Sequence, residues 1–295
     1  MVDWDDLRVF LAVARGESLS RAGKVLKLDA ATVGRRIARL EDDLRARLFT
    51  RSPQGYILTD EGARLVSHAE GMEAEAQRAR DALAGAGEGI VGQIRIGAPD
   101  GCANYLLPQV VARIAAENPG LEVQIVALPR VFSLSRREAD MVIAVSQPQQ
   151  GRVLAQKITD YRLHLAASRQ YLDQAPPLRA LADLSQHRVI GYIPDMIFDR
   201  ELDYMASLGV ESLPLASNSV SVQLNLIRQG AGVGVVHDFA LPAAPEVRRL
   251  LPDAFSLTRS FYLVRHADDR RVPRVERFAQ ALIAEMQAEV ARLEG

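Results

Sequence analysis

The stretch Ser18–Arg51, SLSRAGKVLKLDAATVGRRIARLEDDLRARLFTR, constrains the fold of this chain more than any other. It reads as two helices joined by a short turn. Ser18 stands where a cap of the first helix is expected, followed by apolar or small Leu19, Ala22, Val25 and Leu26. Ala22 and Gly23 leave room for a second helix to cross close by. Leu28-Asp29 supplies the turn, and the Asp29 carboxylate is placed to accept from the orphan N–H groups of the next helix. That helix carries one apolar stripe, Val33, Ile37, Leu40 and Leu44, spaced four, three and four. Thr32, Arg35, Arg36 and Arg39 lie off the stripe. A packed back and a cationic front form the layout of a helix-turn-helix that enters a major groove. Ser18 to Ser52 hold nine basic residues against four acids, a balance of +5 in a chain whose formal total is −1. The positive charge is concentrated, as a phosphate-binding surface requires; a merely solvated charged face does not call for this.

At 295 residues, with 48% hydrophobic and 25% charged residues, the chain has material for two or three globular domains. No apolar run approaches the roughly 18 residues of a membrane span. The start, MVDWDDLRVF, is acidic where a secretory signal would be basic, so a cytoplasmic protein is expected. One cysteine, Cys102, excludes an intrachain disulfide and a multi-cysteine metal site, and the five scattered histidines form no ligand pair. No metal or cofactor is assigned.

In chain order, Asp3–Arg15 is a first helix that Gly16 ends, with Leu7, Phe10, Leu11 and Ala14 at helical spacing. Leu48-Phe49 are core plugs, and Thr50–Leu58, with Pro53 and Gly55 between β-prone residues, is a small hairpin or wing carrying Arg51 and Gln54. Thr59 caps a long helix whose Leu65, Ala69, Met72, Ala76, Ala79 and Leu83 are spaced 4-3-4-3-4. This suits a dimerisation seam; packing on the helix's own domain is the alternative. Gly85–Gly89 is a hinge. Beyond it, strands at 93–98, 121–128, 141–145, 161–166, 189–192, 233–236 and 260–265 alternate with helices at 104–117, 178–184, 198–208, 223–229 and 275–293. This is an α/β fold with a largely parallel sheet, read as two lobes with a cleft between them. The domains expected are 1–58, 59–89 and 90–295, the last split into one lobe of about 90–160 plus 266–295 and another of about 161–265.

The chain resembles the LysR-type transcriptional regulators over nearly its whole length. The resemblance is carried by Leu7-Arg8-Val9-Phe10, Ser18-Leu19-Ser20-Arg21-Ala22, Val33–Glu41, Arg47-Leu48-Phe49-Thr50-Arg51, Leu58-Thr59-Asp60-Glu61-Gly62 and Gly230-Ala231-Gly232-Val233-Gly234. It implies a winged helix-turn-helix, a dimerising linker helix and a two-lobed, periplasmic-binding-protein-like α/β effector region. It also implies homo-oligomers built as dimers or dimers of dimers. The partners expected are double-stranded DNA, an unidentified small-molecule effector, further copies of the chain and RNA polymerase, with no enzymatic activity. Residues expected at DNA are Ser20, Arg21, Ala30, Ala31, Thr32, Arg35, Arg36, Arg39, Arg51 and Gln54.

This sequence departs from the family in two places. Members often begin the recognition helix with Ser-Gln-Pro or Ser-Gln-Ser and place a Ser before its Arg; here stand Asp29-Ala30-Ala31 and Gly34. Base reading then falls to Thr32, Arg35 and Arg36. Gly34 costs about 1 kcal/mol of helix propensity relative to Ala, and closer approach of the helix backbone to DNA is the expected return. In the effector half the resemblance points to Pro99–Asn104, Pro129–Ser133, Ile193–Asp195 and Ser217–Ser221, with Asp100, Gly101, Cys102, Asn104, Pro129, Ser133, Asp195, Asn218 and Ser219 as candidate ligand contacts. Asp100 has two readings: it disfavours an anionic effector, or it caps the helix starting near Ala103. Cys102 lacks a resolving thiol or activating cation in sequence and is read as packing. Gly230–Gly234 follows a helix and precedes a strand, the reverse of a dinucleotide fingerprint. Two further readings stay open beside an effector-controlled regulator: a small-molecule-binding or enzymatic α/β protein with a helical oligomerisation arm, and a regulator whose pocket is non-functional.

Overall fold

A computed structural model of the protein describes residues 2–52, 55–83, 89–127, 139–148, 153–205, 208–210, 212–267 and 272–295. The chain divides into two compact units, Met1–Ala86 and Gly87–Gly295, each with its own apolar core.

In the first unit, α1 (Trp4–Gly16) buries Leu7, Val9, Phe10, Leu11 and Val13. It stops where Glu17 turns left-handed and donates its N–H to the Val13 carbonyl. Helix α2 (Leu19–Leu26) follows, with Ser18 at its cap position; the Ser18 hydroxyl makes no capping bond, contrary to the expectation. Val25 does not pack either, being 78% exposed. Helix α3 (Ala30–Leu44) begins as expected, the Asp29 carboxylate accepting from the Thr32 N–H at 2.8 Å. Its stripe Val33, Ile37 and Leu40 is buried against Phe10, Leu48 and Phe49. Strands β1 (Phe49–Ser52) and β2 (Gly55–Leu58) pair antiparallel as the wing. Helix α4 (Asp60–Leu83) starts with the Thr59 hydroxyl accepting from the Gly62 N–H at 3.0 Å.

The seam read along α4 splits in two. Ala69 is fully buried and Leu65 partly so in the unit's own core, and Arg15 of α1 pairs with Glu73 at 2.7 Å. The first half of the stripe therefore packs at home. Only Met72 and Ala79, exposed, and Ala76, half-buried, remain open to a partner; the Leu83 side chain lies outside the described residues.

The second unit is one curled mixed sheet with helices packed on it. Its strands are β3 (Gly92–Ala98), β4 (Leu121–Ala127), β5 (Met141–Ala144), β6 (Val153–Ser168), β7 (Val189–Gly191), β8 (Leu215–Ala216), β9 (Val233–His237), β10 (Val247–Leu250) and β11 (Ser256–His266). The helices are α5 (Asp100–Tyr105), α6 (Leu107–Glu117), α7 (Arg169–Leu172), α8 (Val220–Arg228) and α9 (Pro273–Glu294). The order is β4-β3-β5-β11-β6-β9-β7-β8, with β10 beside β6. β4-β3-β5 are parallel and so are β9-β7-β8, but β6 and β11 run antiparallel to their neighbours, so the sheet is mixed where a largely parallel one was expected.

These two long strands join the lobes. They pair from Ser256↔His164 to His266↔Val153, with a register shift between Phe261 and Tyr262. Alternation explains β3, where Ile94 and Ile96 are buried and Gln93 is exposed; β9 is buried at all five positions, as a central strand must be. Within the expected helix at 198–208, the described residues form a 3₁₀ turn, Arg200–Leu202, followed by buried Tyr204 and Met205. The helix expected from Asn104 instead starts at Asp100 and breaks at Leu106. Gly230, at φ +72°, supplies the left-handed turn between α8 and β9.

Candidate nucleic-acid interface and ligand cleft

On the first unit, α3 presents Thr32 and Arg35, and a chain of hydrogen bonds orients them. The Thr32 hydroxyl donates to Asp29 Oδ2 at 2.7 Å and accepts from Arg35 Nη2 at 2.9 Å. These Thr32 bonds hold the Asp29 carboxyl below its ordinary range. Arg35 is exposed and aimed by this chain, while the Thr32 hydroxyl is engaged, leaving its methyl as the free group.

Arg36 and Arg39 are placed differently from the expectation. Arg36 bonds the Asp5 carboxylate of α1, holding that carboxyl below its usual range. Arg39 forms a bidentate pair with Asp6 through Nε at 2.5 Å and Nη2 at 2.6 Å, and Asp6 is only 1% exposed. Both guanidiniums thus clamp α3 to α1. Sequence reasoning missed Asp5 and Asp6; their only signal was a position in an acidic first turn.

Gly34 is also reassigned. A Cβ there would meet Leu19 Cδ1 at 3.3 Å, so the missing side chain makes room for α2. Ser20, Arg21, Lys24, Lys27 and Arg45 are exposed; Ala31 is exposed and Ala30 half-buried. Gln54 and the Arg51 side chain lie outside the described residues.

In the second unit, a narrow cleft with room for about one water lies where the end of β3 and the start of α8 converge. Gly101, Cys102 and Asn218 line it, as expected, together with Asp100. Asn104 does not; its side chain bonds the Asp100 carbonyl and carboxylate. Asp195 sits exposed on a separate 3₁₀ turn, and Tyr192 lines the cleft instead. Pro129 and Ser133 lie outside the described residues.

Asp100 is a capping carboxylate, but not for its own helix. Its Oδ2 accepts from Ser219 Oγ at 2.9 Å, Ser221 N–H at 2.9 Å and Ser221 Oγ at 3.0 Å, at the first turn of α8. It therefore ties the end of β3 to the start of α8, elements from opposite halves of the sheet. Ser219 is hydrogen-bonded to Asp100 and caps α8, its hydroxyl accepting from the Val222 N–H at 3.2 Å.

The aromatic lining was not anticipated. Tyr161 stacks on Phe261 at 4.1 Å and on His237 at 5.4 Å, and Tyr192 and Phe198 complete the wall. Burial lowers the His237 pKa to about 4, nearby Asp100 opposing it. Burial pushes the Cys102 thiol well up, so it carries no reactive thiolate and packs as a small apolar side chain. A larger hollow of about 410 Å³ shares Tyr192 and Leu202 with this cleft, and its walls, such as Ile197, Met205 and Leu213, are mostly apolar.

The comparisons with known proteins agree with both halves. Residues 4–63 match the bacterial regulatory helix-turn-helix proteins of the lysR family. Residues 87–287 match the LysR substrate binding domain. The HTH-type transcriptional regulator PtxR of Pseudomonas aeruginosa is 27% identical over 296 residues, covering 97% of this chain and 94% of its own length. Two solved structures share the fold. Full-length OxyR C199D from Pseudomonas aeruginosa superposes with a TM-score of 0.72 at 20% identity, covering 97% of this chain and 95% of that one. The LysR-type regulator CrgA from Neisseria meningitidis gives 0.59 at 22% identity, covering 97% and 99%. With a helix-turn-helix unit at its start and a substrate-binding unit over the rest, the chain belongs to the LysR family of DNA-binding transcriptional regulators.

Proposed function

We propose that this regulator reads its operator chiefly through Arg35 and is controlled by a small molecule held in the cleft beside Asp100. The observation that carries the first half is the hydrogen-bond chain Asp29–Thr32–Arg35, which aims one exposed guanidinium while Arg36 and Arg39 are engaged with α1. An arginine held this way suits a bidentate contact with guanine, and the exposed Ser20, Arg21, Lys24 and Lys27 suit phosphates. Met72, Ala76 and Ala79 of α4 are the surface for a second copy, giving two reading heads and a roughly palindromic site. An effector bound more tightly by one lobe arrangement than another shifts the population of the two and so the geometry of the heads. RNA polymerase is the expected downstream partner, and the cytoplasm the expected compartment.

Footprinting of DNA upstream of the protein's own reading frame, with and without cell extract, tests this reading. Protection that steepens or relaxes with extract is expected; protection that never changes would leave the cleft without a regulatory role. Arg35→Ala is expected to weaken specific binding by about 1–3 kcal/mol, roughly 5- to 150-fold, and to relax one base position. An unchanged footprint for that variant would rule out Arg35 as a reader.

A further inference from the structure

We infer that the effector unit is latched shut by two reciprocal carboxylate–serine clasps, so that a solute larger than water reaches the cleft only when both part. The inference deepens the effector reading above: it rests on that reading for its consequence and concerns how the same cleft is opened. The first clasp is Asp100, at the end of β3. Its carboxylate accepts from the Ser219 hydroxyl at 2.9 Å, the Ser221 N–H at 2.9 Å and the Ser221 hydroxyl at 3.0 Å, all at the start of α8. The second clasp runs the other way. Ser146, just beyond β5, donates its hydroxyl to Asp199, which lies beyond β7 and also accepts from the Glu201 N–H at 3.0 Å. One carboxylate comes from each lobe, and each meets a serine of the other.

Both clasps border the same cleft. Asp100 lines it, and so do Val145 and Phe198, the chain neighbours of Ser146 and Asp199. Between the clasps the space is taken by the rings of Tyr161, Tyr192, Phe198 and Phe261, leaving room for about one water.

Hydrogen bonds to a carboxylate are about twice as strong as neutral ones. Asp100, Ser146, Asp199, Ser219 and Ser221 are all half-buried, so water competes for these bonds only in part. Four such bonds across one cleft make closure a property of the chain itself. A ligand has to displace them, and its apparent affinity is lowered by the fraction of molecules whose clasps are open.

Cys102 reports on the latch. It is the chain's only cysteine, lines the cleft and is 1% exposed. Labelling of the full-length protein with N-ethylmaleimide therefore follows the population of open molecules. Ser146→Ala removes one hydroxyl and leaves Asp100, α5 and α8 untouched. It is expected to speed both Cys102 labelling and exchange of the Ser221 amide by about tenfold. Asp100→Ala is expected to speed labelling at least as much, and the double variant further. Asp183→Asn alters a carboxylate that accepts from the Arg179 and Ala180 N–H groups, away from the cleft, and is expected to change neither rate. Urea unfolding of the effector unit gives each variant's loss of global stability. Unchanged labelling in Ser146→Ala, an equal gain in Asp183→Asn, or gains no larger than the loss of global stability explains would each overturn the latch. These readouts use neither DNA nor effector, whereas footprinting tests the effector reading, so the two can fail separately.

Discussion

Glu41→Ala is expected to destabilise the helix-turn-helix unit by about 3 kcal/mol. Glu41 is only 7% exposed, and its carboxylate holds the chain where α3 hands over to the wing. One oxygen accepts from the Leu48 N–H at 2.8 Å and the Phe49 N–H at 3.3 Å; the other accepts from Arg47 Nη1 at 2.9 Å. Leu48 and Phe49 are themselves buried, so alanine strands two backbone donors away from water. The Arg47 pair adds little, because that side chain is 82% exposed. Glu41→Gln keeps an acceptor for the backbone and should cost less than half as much. Amide exchange of the slowest protons in this unit reads the difference: about 3 kcal/mol corresponds to roughly a hundredfold faster exchange. Equal protection in wild type and Glu41→Ala would show that the wing is held by packing alone.

The second large effect is a pH dependence in the effector unit. Burial holds the folded-state pKa of His237 at about 4, below its ordinary value of 6.5. Below pH 6.5 the unfolded chain takes up a proton that the folded chain refuses. Stability from this group is therefore complete above that pH, falls as the pH drops toward 4, and is constant below. Between pH 7 and pH 4.5 the loss from His237 alone is about 2.5 kcal/mol. Replacing His237 with phenylalanine keeps an aromatic ring beside Tyr161 and removes the titration. Urea unfolding of the effector-unit transition at the two pH values should show a change smaller by about that amount in the variant. Parallel pH dependence in the two proteins would mean that His237 is protonated without cost.

Much of the fold can be read from local pattern because local pattern is what burial selects. The stripe Val33, Ile37, Leu40 faces a core because one side of a short surface helix must, and Asp29 caps α3 because the neighbouring N–H groups need an acceptor. What depends on distant partners was not legible. The acids that hold Arg36 and Arg39 lie 31 and 33 residues away, and periodicity says nothing about which acid meets which base. Asp100 was readable as a capping carboxylate, yet the helix it caps begins some 120 residues later. Strand β6 was expected only at Tyr161–Ala166; its first eight residues serve the other lobe, where different neighbours change the burial pattern. The aromatic wall of the cleft gathers residues from 161 to 261, a grouping made by topology alone.

The register shift in the two crossing strands has a mechanical consequence. Phe261 pairs with Thr159 and Tyr262 with Lys157, so Ile158 is the extra residue, and its carbonyl accepts from Gln287 Nε2 of α9 at 2.7 Å. The ladder of the two joining strands is interrupted at this level, and the interruption is braced by the C-terminal helix. Phe261, at the same level, is part of the cleft wall. Any bending of the joined ribbons at this level therefore loads α9 through Gln287, so the C-terminal helix and the cleft wall are mechanically one piece.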